Sequence, residues 1–247
     1  MAVNFNNLFK YMKKKMAYRK GGAVEKQNGS WAVKDRTVIE NFRSNAANTF
    51  LVSFPRTGSH WLRMLMELYF ERPSLVRVFY YPQSRDYLTL HTHDLDLDFY
   101  ARKVIYLYRN PVNTIYSQLK YHKEDLSDKK RISYWAKLYA EHLDKWLVKE
   151  DFTGQKTSIS YERLENEAGE EFRKICTHFD FEYDKARFAN IYRKLTKSTT
   201  NKKTKHDPQV VDLGDSYILN REIFAQRYAD LIWAELLEQK EYLKNFL

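Results

Sequence analysis

The sequence is short of the residues that make loops and cross-links. Of 247 residues, 7 are Gly, 5 are Pro and one is Cys. So few glycines and prolines, widely spread, exclude collagen-like and low-complexity architectures and leave little material for a glycine-rich loop. A lone Cys176 cannot close an internal disulfide or supply half of a cysteine zinc site, which points to a reducing compartment. Its surroundings, residues 172–179, have an amphipathic pattern that predicts a helix with the thiol packed inside. No run of about 18 apolar residues occurs and no apolar h-region stands near the first residue, so neither a membrane span nor a signal peptide is expected, and the expected location is cytoplasmic.

Aromatic and basic residues are abundant instead. With 19 Tyr, 15 Phe and 43% hydrophobic residues, the chain can build a core of ordinary domain size. Lys and Arg number 42 against 32 Asp and Glu, a net charge of +10. The charge is unevenly placed: residues 1–36 hold nine cations and two anions, so the remaining chain carries little excess. A nucleic-acid module spreads its cations along a folded face, whereas these sit in a polar leader, and no nucleic-acid partner is expected. Residues 1–45 therefore read as a basic N-terminal arm, interrupted at Gly21-Gly22 and Gly29-Ser30, in which residues 8–19 can form a short basic helix making weak contact with a membrane surface. Residues 46–247 read as a single domain.

From residue 49 the pattern changes. Residues 49–54 are β-favouring, Pro55 and Gly58 follow, and apolar residues then recur at helical spacing through residue 70. A second strand at 103–108 meets Asn110-Pro111, with Pro suited to a first helical turn, and a helix runs to about 123. Further strands are predicted at 87–91 and 157–160, the latter leading into a helix from Tyr161. Helices are also predicted at 132–148, 184–195 and 220–237, with a polar, lysine-containing loop at 197–216. Alternating strands and helices make this an α/β fold with a mainly parallel central sheet flanked by helices. Trp135, Leu138, Tyr139, Leu143, Trp146 and Leu147 fall on one helical face and are read as core.

In such a sheet anions bind where strand ends enter helix N-termini. Phe54-Pro55-Arg56-Thr57-Gly58-Ser59-His60-Trp61 stands at such a place. Gly58 permits close backbone approach, Thr57 and Ser59 bring hydroxyls, and Arg56 brings a bidentate cation. The stretch lacks the second Gly and the Lys of a Walker A loop, which disfavours ATP-type chemistry. The second unit contributes Arg109 at its strand end and Ser117 two helical turns on, and together the loops suggest a ligand with two separated phosphates.

These residues resemble the sulfotransferases that use 3′-phosphoadenosine 5′-phosphosulfate (PAPS), which have a P-loop-NTPase-like architecture. The signature P-[KR]-[ST]-G-[ST]-x-W matches residues 55–61. The second, R-[ND]-P with a Ser eight residues beyond the Arg, matches Arg109, Asn110, Pro111 and Ser117, and Tyr161-Glu162-Arg163-Leu164 is similar to a third. The similarity spans residues 48–237. It implies that Arg56, Thr57, Gly58, Ser59 and His60 cradle the 5′-phosphosulfate, that Trp61 and Tyr161 approach the adenine, and that Arg109 and Ser117 hold the 3′-phosphate. The family's C-terminal R-K-G has no literal counterpart; Lys202, Lys203 and Lys205 are the candidates. His93 of His91-Thr92-His93-Asp94 aligns with the family's K-T-H base, and Arg56 stands where many relatives carry Lys.

The reaction so implied is in-line sulfuryl transfer from PAPS to a hydroxyl or amine of a small-molecule, glycan or lipid acceptor, releasing PAP, with His93 as base, Arg56 stabilising charge and no metal required. Three readings compete for parts of this: a metal site at His91 and His93 beside Asp94, Asp96 and Asp98, a nucleotide-dependent kinase, and a non-enzymatic basic protein binding nucleic acid or membrane surfaces through its arm.

Overall fold

The computed structural model describes residues 24–27, 29–149, 154–204, 215–238 and 240–247. Its centre is a five-stranded parallel sheet of strand order β4-β6-β3-β7-β8, with β3 Thr49–Ser53, β4 Ser74–Leu75, β6 Thr89–Thr92, β7 Lys103–Tyr108 and β8 Gln155–Ser160. Strand β3 pairs in parallel with β6 on one side and β7 on the other, and all five of its residues are buried. An apolar run with no polar alternation is what such a doubly covered strand requires.

Successive residues of β3 and β7 serve opposite cores. Phe50, Val52, Val104 and Tyr106 pack with α3 Pro111–His122, α4 Lys129–Leu143 and α9 Asp215–Leu237. Leu51, Ile105 and Leu107 pack with α2 Ser59–Phe70, α6 Ala168–His178 and α7 Lys185–Lys194. The result is a three-layer α/β/α sandwich. Cys176 is buried in the second core, and burial pushes its thiol pKa up, in keeping with the packing reading. Helix α5 Tyr161–Asn166 directly follows β8, and α8 Lys197–Lys203 occupies part of the stretch read as loop.

The N-terminal part differs from a polar arm ending at residue 45. β1 Val24–Gln27 and β2 Ser30–Val33 form an antiparallel hairpin that joins β5 Arg77–Val78 in a second, three-stranded sheet. Its turn has Gly29 at φ 84°, where a Cβ would meet the Lys203 carbonyl at 2.4 Å. Helix α1 Arg36–Ser44 follows, its N-cap Asp35 accepting from Thr37 N–H at 3.0 Å. Val33 and Phe42 reach the main core, so apolar burial outweighs the local excess of charge here. Residues 1–23, with the basic helix read at 8–19, lie outside the described residues.

One helix cap and one π-helical turn shape the loops at the strand ends. Asn110 accepts from Asn113 N–H at 3.2 Å with Pro111 in the first turn of α3, as the sequence predicts. At the end of α4 the chain widens into a π-helical turn, Asp144–Val148, which turns Lys145 and Trp146 inward toward the loop after β6.

Candidate active site

The loop from β3 to α2 is held open by conformations few residues adopt. Arg56 has φ 71° and Gly58 φ 96°. A Cβ at residue 58 would lie 2.5 Å from the Tyr161 ring, so glycine is needed both for its backbone and because the edge of an aromatic ring packs against it. Thr57 is fully buried and its hydroxyl donates to the Phe54 carbonyl at 2.8 Å. That hydroxyl ties the turn together, and Thr57 is not among the residues that line the cavity below. Ser59, His60 and Trp61 open α2 and line the cavity below. Trp61 donates from its indole N–H to the Leu195 carbonyl at 3.3 Å and meets Tyr161 edge-on at 5.6 Å.

The β7–α3 turn comes alongside. Tyr139 grips the Arg109 backbone, its hydroxyl accepting from the N–H at 3.0 Å and donating to the carbonyl at 2.7 Å. The Arg109 guanidinium lies 4.4 Å from the centre of the Tyr161 ring and donates from one terminal nitrogen to the Arg56 carbonyl at 3.2 Å. Its Nε is buried with no hydrogen-bond partner among the described residues, since the Glu162 carboxylate stands off at 3.9 Å. A buried, unmatched guanidinium donor is what an incoming phosphate oxygen would satisfy. Ser117 accepts from Arg56 Nε at 3.2 Å, so the two signatures meet in one hydrogen bond.

His93 follows β6. Its Nδ1 lies 2.7 Å from the Ser53 carbonyl, and because a carbonyl only accepts, Nδ1 carries the proton and Nε2 keeps its lone pair. Burial is the main cause lowering its pKa below the usual histidine value; the Ser53 bond opposes it, and Arg63 and Arg56 reinforce it. The backbone is fixed as well. His142 donates from Nε2 to the His93 carbonyl at 2.8 Å and accepts from Tyr106 Oη at its Nδ1 at 2.9 Å. Asp94, at φ 44°, turns inward and accepts from Lys145 Nζ and Trp146 Nε1, each at 2.8 Å, and from Phe99 N–H at 2.9 Å.

With Asp94 so engaged and His91 Nε2 hydrogen-bonded to Ser53 Oγ at 2.9 Å, the pair His91 and His93 is held by other partners. Among the described residues, no group of three His, Cys, Asp or Glu side chains converges to hold a metal.

Arg56, Gly58, Ser59, His60, Trp61, His93, Arg109, Ser117 and Tyr161 all border a single cavity of about 860 Å³. Residues 99–185 match the model of the sulfotransferase family. Among solved structures, the mouse sulfotransferase SULT7A1 complexed with PAP is similar, with a TM-score of 0.55 and 16% identity over 90% of this chain and 96% of that one. The family match covers about a third of the chain, and the structural likeness, at 16% identity, shows a shared fold. Comparison with curated protein sequences finds no match.

Of the C-terminal lysines, Lys202 and Lys203 do not line the cavity. Lys203 donates to the Phe79 carbonyl at 3.2 Å and lies over the Tyr80 and Trp31 rings, while Lys202 is exposed. Lys205 is outside the described residues. Arg193, Thr196, Thr200 and Arg221 border the cavity instead, from helices whose contribution no local motif announces. Tyr121 and His122, at the end of α3, also line it. Trp135, read as core, is both: it is 6% exposed and forms part of the wall.

His60 is pushed down to about 2, first by burial and then by Arg63, Arg77 and Arg56, so it is neutral at any working pH. Arg77 donates to its Nε2 at 3.2 Å, which leaves Nδ1 as a donor. Gly58→Ala adds a methyl at a left-handed position facing the Tyr161 ring; a cost of ~1–3 kcal/mol and loss of nucleotide binding are expected, readable by thermal melting with and without PAP.

Proposed function

We propose that this protein moves the sulfuryl group of PAPS to a hydroxyl or amine acceptor by in-line displacement. The observation that carries the reading is the meeting, in one cavity, of Arg56, Arg109 and Ser117 with a histidine whose Nε2 lone pair is left available. PAPS, when bound, supplies an activated sulfuryl group. Arg109 and Ser117 would hold the 3′-phosphate, and the unmatched Arg109 Nε fits that task. Ser59 and the N-terminus of α2 would receive the 5′-phosphosulfate, and Trp61 with Tyr161 would flank the adenine. His93 would take the acceptor proton as the acceptor oxygen or nitrogen bonds to sulfur, and Arg56 would balance the charge left on the departing phosphate.

A fixed cation that stays protonated suits charge stabilisation better than proton donation, because its pKa is too high to release a proton. PAP is proposed as the product, and the acceptor as a small molecule able to enter the cavity. Titration with PAP in a chelating buffer tests the reading: PAP is expected to bind without metal and more tightly than ATP. A preference for ATP with Mg²⁺ would point to phosphoryl transfer instead.

A further inference from the structure

The part of the cavity beyond the phosphate loops has a flat wall and one sign of charge. Trp135 and His122 stack with ring centres 5.2 Å apart and planes 17° apart. Both are held by hydrogen bonds: Trp135 donates to Glu124 at 2.8 Å, and His122 accepts from Gln118 at 3.1 Å. A planar wall fixed before binding favours a planar guest, since little side-chain freedom is lost on contact.

Among the described residues the cavity is bordered by four arginines and by Glu165 as its single carboxylate. Glu165 accepts from Tyr161 Oη at 3.0 Å, on the nucleotide side. Glu124, the carboxylate behind the flat wall, is taken by Arg131 and Trp135 and does not line the cavity. Arg221 lies on α9 one turn beyond Tyr217, and Tyr217 and Phe224 pack on Tyr116 of α3, so α9 sets this cation over the helix that carries Tyr121 and His122. None of the described carboxylates forms an ion pair with it. No described carboxylate but Glu165 borders this space, and a cation there repels an ammonium group and attracts a carboxylate.

We infer that Arg221 selects an aromatic acceptor carrying a negative charge, the ring lying on the wall of Trp135 and His122 and the anionic group turned to Arg221. The inference rests on the sulfuryl-transfer reading. It makes Arg221 a specificity residue, with no part in the bond changes at sulfur.

Three phenols of similar size separate the cases: 4-hydroxyphenylpropanoate, neutral 4-ethylphenol and cationic tyramine. The native enzyme with PAPS is expected to rank them in that order by kcat/KM. Arg221→Glu is expected to shift the ratio of the anionic to the cationic acceptor by on the order of tenfold or more toward tyramine, with PAP affinity by calorimetry unchanged. Arg221→Gln, which keeps a polar side chain of similar reach, is expected to give an intermediate ratio. A ratio unchanged in both variants overturns the inference, as does a variant that weakens PAP while leaving the ratio alone, since Arg221 would then serve the nucleotide. If the native protein does not bind PAP at all, the sulfuryl-transfer reading itself fails.

Discussion

Replacing His93 by Ala is expected to lower kcat by about 10²- to 10⁴-fold while leaving PAP affinity nearly intact. The hydrogen bond from Nδ1 to the Ser53 carbonyl fixes the tautomer that presents Nε2 as a base, and no neighbouring side chain substitutes for it: His91 is bonded to Ser53 Oγ and His60 accepts from Arg77. The same geometry sets the pH dependence. Burial lowers the His93 pKa, so the imidazole is neutral and competent at neutral pH. Activity is lost only as pH falls through that lowered value, and the acid limb of kcat should lie below 6.5, the ordinary histidine value. The variant should lack this limb. A limb that persists in His93→Ala, or turnover that is unchanged, would assign the base elsewhere.

Arg56→Ala is expected to reduce kcat on the order of 10²- to 10³-fold and to weaken PAP as well. Arg56 donates to Ser117 and lies with its guanidinium 5.2 Å from the Tyr121 ring centre, so its loss removes a cation from the β3–α2 loop and releases Ser117. Arg56→Lys restores the charge but not the planar fork, and a partial recovery of kcat with poorer recovery of affinity would distinguish charge from shape. Full activity in Arg56→Ala would remove Arg56 from the chemistry.

The two strand-loop-helix units were legible because each is local: a strand, a few loop residues and a helix start lie within about a dozen positions, and Pro111, Asn110 and Gly58 have strong backbone preferences. The partner that makes Gly58 necessary, Tyr161, is about a hundred residues away, and nothing near Gly58 names it. The hairpin at residues 24–33 was hidden by its charges, since its burial rests on Val33 and on Trp31 packing at the margin of the core. Lysines after residue 200 offered the right charge at roughly the right place in sequence, yet Lys203 is spent on the Phe79 carbonyl and two aromatic rings. Helical spacing correctly marked Trp135 as inward-facing. It could not show that the inner face borders an open cavity, because periodicity reports direction and not what lies there.

The most direct test of the account is a calorimetric titration of the native protein and Arg109→Ala with PAP in a chelating buffer, with adenosine 5′-diphosphate as the ligand lacking the 3′-phosphate. Metal-free binding of PAP is expected, weakened in Arg109→Ala roughly 10- to 100-fold, the usual range for a lost charge-assisted hydrogen bond, while binding of adenosine 5′-diphosphate changes little. PAP that fails to bind, or that binds equally well after Arg109→Ala, would contradict it.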